Sequence, residues 1–185
     1  MPSRQAFRSS ADALAGVAAL KARKEVDPRR IGLLGISQGG WIAPLAATRS
    51  ADVAFVVTLS GPAVSVGEEI EYSRLAGEDP GSVQGLSDAE IDRRMRSFRG
   101  PHGYDPAATL AALRAPSLWI LGEKDRSIPL VHTVENLTRL KAERKPITTH
   151  VIPGVGHGLR SPAGGPPPDF WRTIEDWLAD HSFIR

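Results

Sequence analysis

A single serine stands between two glycines in the stretch Gly35-Ile36-Ser37-Gln38-Gly39, directly after an apolar run and directly before a helix-like segment. This spacing matches the G-x-S-x-G elbow, in which a strained turn between a strand and a helix presents a serine hydroxyl. The two glycines let the chain bend without a Cβ clash. The backbone N–H of Gln38 would point to a developing oxyanion at the positive end of the helix. Small residues at such a turn also serve close packing, but in this context the stretch predicts that Ser37 is a catalytic nucleophile.

A serine hydroxyl is a weak nucleophile at neutral pH, so a general base has to be found among the five histidines. His157 is the best placed, because it follows the last predicted strand and lies between two glycines that let a loop carry the ring inward. We expect three of the others to be structural or solvated: His132, His150 and His181. His102 lies in or beside a polar insertion and is kept as a substrate-contact candidate.

An acid has to hold the tautomer of the base and stabilise the imidazolium ion. Asp125 lies just beyond the end of a predicted strand, where ligand sites occur in parallel sheets. Glu123 is the alternative acid, and a surface ion pair with Lys124 or Arg126 is the non-catalytic interpretation of either carboxylate. We favour Asp125. The chain order serine, aspartate, histidine, with each residue after a separate strand, makes the three signals stronger together than apart.

The elements that must position these residues alternate along the chain. Apolar runs predict strands over residues 31–36, 53–61, 117–122 and 147–154. Helical periodicity or composition predicts helices over residues 10–26, 38–50, 130–143 and 169–181, with Ser10 or Asp12 as the cap of the first. This alternation predicts an α/β fold with a mostly parallel sheet flanked by helices.

The alternation is interrupted between residues 62 and 107, where the segments are polar, charged and glycine-containing. We interpret residues 62–107 as an insertion in a single domain that spans residues 1–185. Within it, Ser87 and Glu90 have the spacing of a capping box, which predicts a helix over residues 87–98.

The composition excludes several function classes. Lys and Arg number 23 against 21 Asp and Glu, and the arginines at 93–99 are interpreted as a solvated helix face, so we expect no nucleic-acid partner. The chain has no cysteine, which excludes disulfides and thiolate chemistry. We predict no metal site and no cofactor. The sequence lacks a secretory signal and any run of about 20 apolar residues, so we expect a cytoplasmic protein with no membrane contact.

These motifs resemble those of the α/β-hydrolase superfamily, most closely its bacterial members related to dienelactone hydrolases and serine aminopeptidases. The resemblance covers residues 9–178 and rests on "DPRRIGLLGISQGG", "LGEKDRSIP" and "GVGHGL". It implies a catalytic triad of Ser37 as nucleophile, His157 as general base and Asp125 as orienting acid. It also implies that residues 62–107 form the helical cap of the fold.

The chain departs from the superfamily before the elbow. Superfamily members carry earlier strands, a helix and a loop that donates a second oxyanion-hole N–H, whereas this chain has 36 residues before Ser37 and no His-Gly or Gly-Gly motif there. The strand from Ile31 to Ile36 would therefore be an open apolar edge. We expect a truncated α/β-hydrolase fold whose edge is covered in a homodimer or by a separate chain, unless the chain is a C-terminal fragment.

Two functions follow from these features. The first is a serine hydrolase that acts on a small ester-like substrate, or on a thioester or amide, through an acyl-enzyme. The second is a weakly active or inactive hydrolase-fold module that needs a partner chain or serves in binding and assembly. The loss of one oxyanion donor lowers turnover roughly 10²- to 10³-fold in serine hydrolases, so a truncated form would retain weak activity.

Overall fold

The computed structural model describes residues 2–77 and 81–184, with side chains from residue 5 onward in those ranges. Four strands form one parallel sheet in the order β1-β2-β3-β4. They are β1 (Gly32–Ile36), β2 (Phe55–Leu59), β3 (Ser117–Gly122) and β4 (Ile147–Ile152). The helices in the described residues are α1 (Pro2–Lys21), α2 (Gly39–Arg49), α3 (Val66–Ala76), α4 (Asp88–Arg96), α5 (Ala107–Ala112), α6 (Leu130–Ala142) and α7 (Phe170–Asp180), and a 3-10 turn covers Pro28–Arg30. The predicted α/β fold class is confirmed.

Helices cover both faces of the sheet because side chains alternate along each strand. On β3, Trp119 and Leu121 pack in one buried cluster with α5 and α6, whereas Leu118 and Ile120 pack in another with α7. Val17 of α1 packs with α2 in a third cluster against β1 and β2. All six residues of β3 are buried, so this strand forms the centre of the core.

The strand β1 lies at the edge of the sheet and pairs with β2 alone among the described strands. Leu34 and Ile36 point to the α7 face, and their exposed fractions are 54% and 62%. Leu33 packs on the other face, against the α1 and α2 cluster. The predicted open apolar edge is therefore present within the part of the chain that the structure describes.

The first helix begins earlier than predicted. It starts at Pro2, so neither Ser10 nor Asp12 caps it. Ser10 lies inside the helix, fully buried, where its hydroxyl donates a hydrogen bond to the Phe7 carbonyl and accepts one from Arg49. Ser10 therefore connects α1 to Arg49 of α2 and does not cap α1. Helical periodicity in the sequence does not reveal such a long-range contact.

The insertion at residues 62–107 contains one predicted helix and one that the sequence analysis missed. The predicted helix, α4, is capped by the Ser87 hydroxyl, which accepts the Glu90 N–H. The Glu90 carboxylate pairs with Arg93 and Arg94 instead of returning to Ser87. The helix α3 was not predicted, although Ser65 and Glu68 form a complete capping box at its start. The interpretation of residues 62–107 as a cap remains a prediction.

No helix in the described ranges combines the length and the apolar character that a membrane span requires.

Candidate active site

Ser37 follows the last residue of β1 and adopts a left-handed backbone conformation with a φ of 51°. Its N–H donates a hydrogen bond of 2.9 Å to the Leu59 carbonyl of the neighbouring strand. A residue with a Cβ rarely adopts this conformation, and it persists only where the surrounding structure enforces it. The strained turn between β1 and α2 is the geometry that the elbow sequence predicts.

Glycine is required at two positions around this turn. A Cβ at Gly35 would lie 2.4 Å from the Gly39 carbonyl oxygen, and a Cβ at Gly40 would lie 2.5 Å from the Gly61 Cα. A Cβ at Gly39, in contrast, would meet no atom within 4 Å. The sequence analysis expected that a Cβ would clash with the backbone at both Gly35 and Gly39. The structure shows such a clash at Gly35, and the second position at which it occurs is Gly40, not Gly39.

Gln38 is the N-cap residue of α2 and has helical backbone angles. Its carbonyl accepts the N–H groups of Trp41 and Ile42, while its own N–H donates to no group in the described residues. An amide at a helix N-terminus has no intrahelical partner and carries part of the positive end of the helix dipole. This N–H is therefore free to donate to a group that binds beside Ser37, so the role of Gln38 as an oxyanion donor stays a prediction.

The imidazole of His157 lies between the serine and a carboxylate. Its Nε2 is 3.1 Å from the Ser37 Oγ, and its Nδ1 is 2.9 Å from the Asp125 Oδ2. A ring protonated at Nδ1 donates to Asp125, which leaves the Nε2 lone pair to accept the serine proton. The arrangement can therefore perform general-base chemistry on a serine hydroxyl.

The carboxylate of Asp125 is buried, with 2% of its side chain exposed. Its Oδ1 accepts the backbone N–H groups of Ser127 and Ile128, both at 2.8 Å, so Oδ2 is directed to His157. The alternative acid, Glu123, is exposed, and its carboxylate accepts the Gly154 N–H at 2.8 Å. Of the two acids, Asp125 is the one that makes a hydrogen bond with His157.

The other four histidines have contacts elsewhere. His150 is exposed on β4, and the ring of His181 packs on Trp177 with the ring centroids 4.4 Å apart. The Nε2 of His132 is 3.7 Å from Asp92. His102 places its Nδ1 2.9 Å from the Ser65 hydroxyl at the start of α3, and its role in substrate contact stays a prediction.

Three residues that the sequence analysis missed hold the loops of the site. The Ser60 hydroxyl donates to the His157 carbonyl at 2.6 Å. The Tyr72 hydroxyl donates to the Asp125 carbonyl at 3.0 Å, and the Arg126 guanidinium donates to the Ala76 carbonyl at the end of α3. A Ser-Gly pair directly after β2 was the available signal for Ser60, whereas Tyr72 and Arg126 depend on tertiary contacts that leave no local pattern.

Cavities border residues next to the serine and its base. An apolar groove of about 380 Å³ has His157 in its wall, and Ile36, Leu159 and Trp171 also line it. A small cavity of about 110 Å³ borders Gln38. A larger cavity of about 530 Å³ lies between α4 and α6, and Asp125 is among the residues that line it. Among the described residues, no group of three or more His, Cys, Asp or Glu side chains is arranged to hold a metal ion.

The fold is similar to those of several solved hydrolases. The acylaminoacyl peptidase of Pyrococcus horikoshii gives a TM-score of 0.62 at 22% identity, over 91% of this chain and 27% of that one. Dipeptidyl peptidase 4 of Porphyromonas gingivalis gives 0.65 at 18% identity, over 93% of this chain and 22% of that one. An esterase of Pyrococcus furiosus gives 0.64 at 18% identity, over 91% of this chain and 60% of that one. The chain thus spans about a quarter of the two peptidases and about three fifths of the esterase.

A parallel sheet with helices on both faces, together with these structural neighbours, shows an α/β-hydrolase fold. A family match confirms the superfamily resemblance. The sequence profile of the prolyl oligopeptidase family, Peptidase_S9, matches residues 5–183. The chain belongs to this family. No curated protein matches the sequence with significance.

Proposed function

We propose that the protein is a serine hydrolase that cleaves carboxylic esters through an acyl-enzyme, with Ser37, His157 and Asp125 as its catalytic triad. The observation that carries the proposal is the continuous contact from Ser37 Oγ through the His157 ring to the Asp125 carboxylate, at 3.1 and 2.9 Å. Membership of a hydrolase family supports the reaction class.

In the acylation half of the reaction, the Ser37 Oγ attacks the carbonyl carbon of the ester while His157 Nε2 takes the hydroxyl proton. The carbonyl oxygen becomes an oxyanion that accepts the Gln38 N–H. When the tetrahedral intermediate collapses, the bond to the leaving oxygen breaks and His157 returns its proton to that oxygen. The alcohol departs, and the acyl group remains as an ester of Ser37.

In the deacylation half, the same groups act on water. His157 Nε2 removes a proton from a water molecule whose oxygen attacks the acyl carbon. Collapse of the second intermediate breaks the bond to Ser37 Oγ, which takes the proton back from His157 and releases the carboxylic acid. Asp125 stays ionised throughout and stabilises the imidazolium ion that forms in each half.

Esters are proposed ahead of amides because the chain offers one identified oxyanion donor, the Gln38 N–H. Reduced stabilisation of the oxyanion is tolerated best by substrates with a good leaving group, so activated esters should react faster than amides with the same acyl group. Two of the structural neighbours are named as peptidases and one as an esterase, so amides and thioesters form the second substrate class to be tested.

A second candidate function is an assembly or binding module of low activity. The exposed Leu34 and Ile36 on the unpaired edge of β1 favour it, because an apolar sheet edge is a surface for pairing with another chain. This function does not require that the triad turns over substrate.

The two functions are separated by reaction with a fluorophosphonate, followed by mass spectrometry of the adduct. We expect one adduct, on Ser37, and no adduct in a Ser37→Ala variant with the same circular dichroism spectrum. An adduct on another serine would contradict the assignment of the nucleophile. A folded wild-type chain that forms no adduct would favour the assembly function.

A further inference from the structure

Ser60 occupies on β2 the position that Ser37 occupies on β1. Ile36 and Leu59 are aligned partners in the parallel register, and each is followed by a serine with a positive φ, 51° at Ser37 and 48° at Ser60. Strained non-glycine residues persist where the structure around them has a use for the conformation. The proposed reaction uses Ser37 as the nucleophile but assigns no role to Ser60.

The contacts of Ser60 connect the central strands to the loop that carries His157. Its N–H donates to the Ile120 carbonyl of β3 at 2.8 Å, which continues the sheet by one residue. Its hydroxyl donates to the His157 carbonyl at 2.6 Å, and the residue is fully buried. Ser60 therefore contacts the backbone of the base and fixes it relative to the sheet.

The loop around His157 contains three glycines, Gly154, Gly156 and Gly158, and Gly154 has a φ of 72°. Glycine has more backbone freedom than any other residue, so such a loop needs contacts that select one conformation. The Lys124 N–H donates to the Val155 carbonyl at 2.8 Å, which fixes the loop before the histidine. The Ser60 hydroxyl fixes it at the histidine itself.

The ring of His157 needs two anchors to present Nε2 to Ser37. The hydrogen bond between Nδ1 and Asp125 orients the ring, and a fixed backbone holds the Cα from which the ring extends. A displacement of about 1 Å in a reacting group lowers rates by about 10².

We propose that Ser60 is a positioning residue for the general base, with its hydroxyl holding the His157 backbone so that Nε2 stays within reach of the Ser37 hydroxyl. This inference rests on the proposed function of the triad. Ser60 itself touches neither the reacting atoms nor the imidazole.

The first test is the Ser60→Ala variant, which removes the hydroxyl and keeps a Cβ. We expect fluorophosphonate labelling of Ser37 to slow roughly tenfold, the rate change that corresponds to one neutral hydrogen bond. The matched control is Ser10→Ala. Ser10 is also fully buried and also donates its hydroxyl to a backbone carbonyl, that of Phe7 at 2.8 Å, but it lies in α1 away from the triad. The control should label at the wild-type rate.

The second test separates the hydroxyl from the strained backbone. Ser60→Gly also lacks the hydroxyl, but glycine adopts a positive φ without strain. We expect Ser60→Gly to label as slowly as Ser60→Ala. We also expect Ser60→Gly to unfold at a higher urea concentration than Ser60→Ala, because its backbone is not strained. A Ser60→Gly protein that labels at the wild-type rate would overturn the proposal.

The third test needs no reaction at Ser37. The proton on His157 Nδ1, shared with Asp125, is observable by proton NMR at low field and is assigned by its loss in Asp125→Asn. We expect it to broaden in Ser60→Ala and to stay unchanged in Ser10→Ala. A Ser60→Ala protein that retains either the wild-type signal or the wild-type labelling rate overturns the proposal. Failure of the wild-type chain to label would overturn the proposed function alone, because the NMR signal reports on the loop independently.

Discussion

The acid and the nucleophile of the proposed triad are held in place in different ways. Asp125 follows β3, whose six residues are buried between two neighbouring strands, and contacts with distant parts of the chain hold its loop. Ser37 follows β1, an edge strand with exposed Leu34 and Ile36. The turn itself, backbone hydrogen bonds with Leu59 and Gly40, and the contact with the His157 ring hold the serine.

Mutations should therefore act differently on the two sides. On the side of the acid, the Tyr72 hydroxyl and the Arg126 guanidinium connect the loop at Asp125 to α3 of the insertion, so substitutions in α3 should affect the position of Asp125. On the side of the nucleophile, the contacts lie at the turn itself and at the adjacent end of β2, where Ser37 bonds to Leu59 and Gly40 packs against Gly61, so substitutions at these positions should change its shape.

The largest expected effect is on the side of the acid. Asp125→Asn should lower esterase turnover by up to about 10⁴-fold, because the amide stabilises the wrong tautomer of the base. Glu123→Gln is the matched control and should leave turnover near wild type, since its carboxylate contacts the Gly154 N–H and not the imidazole. Turnover of a p-nitrophenyl ester measures both. A larger loss in Glu123→Gln would show that the acid is misassigned.

The second prediction compares two leucines on the same face of the sheet. Leu118 of β3 is 1% exposed and Leu34 of β1 is 54% exposed. Leu118→Ala should lower the free energy of unfolding by about 2 to 5 kcal/mol, whereas Leu34→Ala should change it by about 0.5 kcal/mol or less. Urea unfolding measures both. Equal losses would mean that Leu34 is buried in solution, and hence that another chain covers the edge.

The same contrast explains what the sequence could predict. Ser37 directly follows an apolar run, Asp125 and His157 lie in the loops that follow two others, and a parallel sheet brings such positions to one edge. The packing of Gly40 against Gly61 and the hydrogen bond from Ser60 to the His157 loop arise only when distant segments meet. They are invisible to local periodicity and motif spacing.

The helices also divide into those with a local sequence signal and those without one. The helices α2, α4, α6 and α7 were predicted from hydrophobic periodicity, from a cap residue or from their position between two strands. The start of α1 was missed because residues before Ser10 carry few apolar side chains, and α3 was missed because its Ser65 and Glu68 cap lies in a polar stretch. The short helix α5 was not predicted either. All three misses lie where the hydrophobic periodicity of the sequence is weak.

The third prediction concerns the open edge. We propose that a second copy of the chain covers the edge of β1 between Ile31 and Ile36, because among the described residues the strand pairs on one side only and carries no charged side chain. Sedimentation velocity at micromolar concentration should show a dimer, and Leu34→Lys should shift it to a monomer. A folded wild-type monomer that binds no dye for exposed apolar surface would contradict this proposal.

The smallest expected effect tests the contact between the insertion and the body of the domain. Arg96 of α4 hydrogen-bonds with Glu135 of α6 at 2.9 Å, and this guanidinium lowers the pKa of the Glu135 carboxyl below its ordinary value. A lowered folded-state pKa means that the contact stabilises the fold above the pKa of the unfolded chain, and that this contribution disappears as the pH falls through the folded value.

Glu135→Gln should therefore destabilise the protein slightly at pH 7 and not at all in acid. The loss of stability at pH 7 should be smaller in high salt, because half of the Glu135 side chain is exposed. The matched control is Glu143→Gln, which removes an ion pair with Arg139 inside α6 and touches no residue of the insertion. Urea unfolding measures both losses, and hydrogen exchange in α4 separates them. If α4 exchanges equally fast in the two variants, the contact between Arg96 and Glu135 does not fasten the insertion, and the acid side of the site is held by Tyr72 and Arg126 instead.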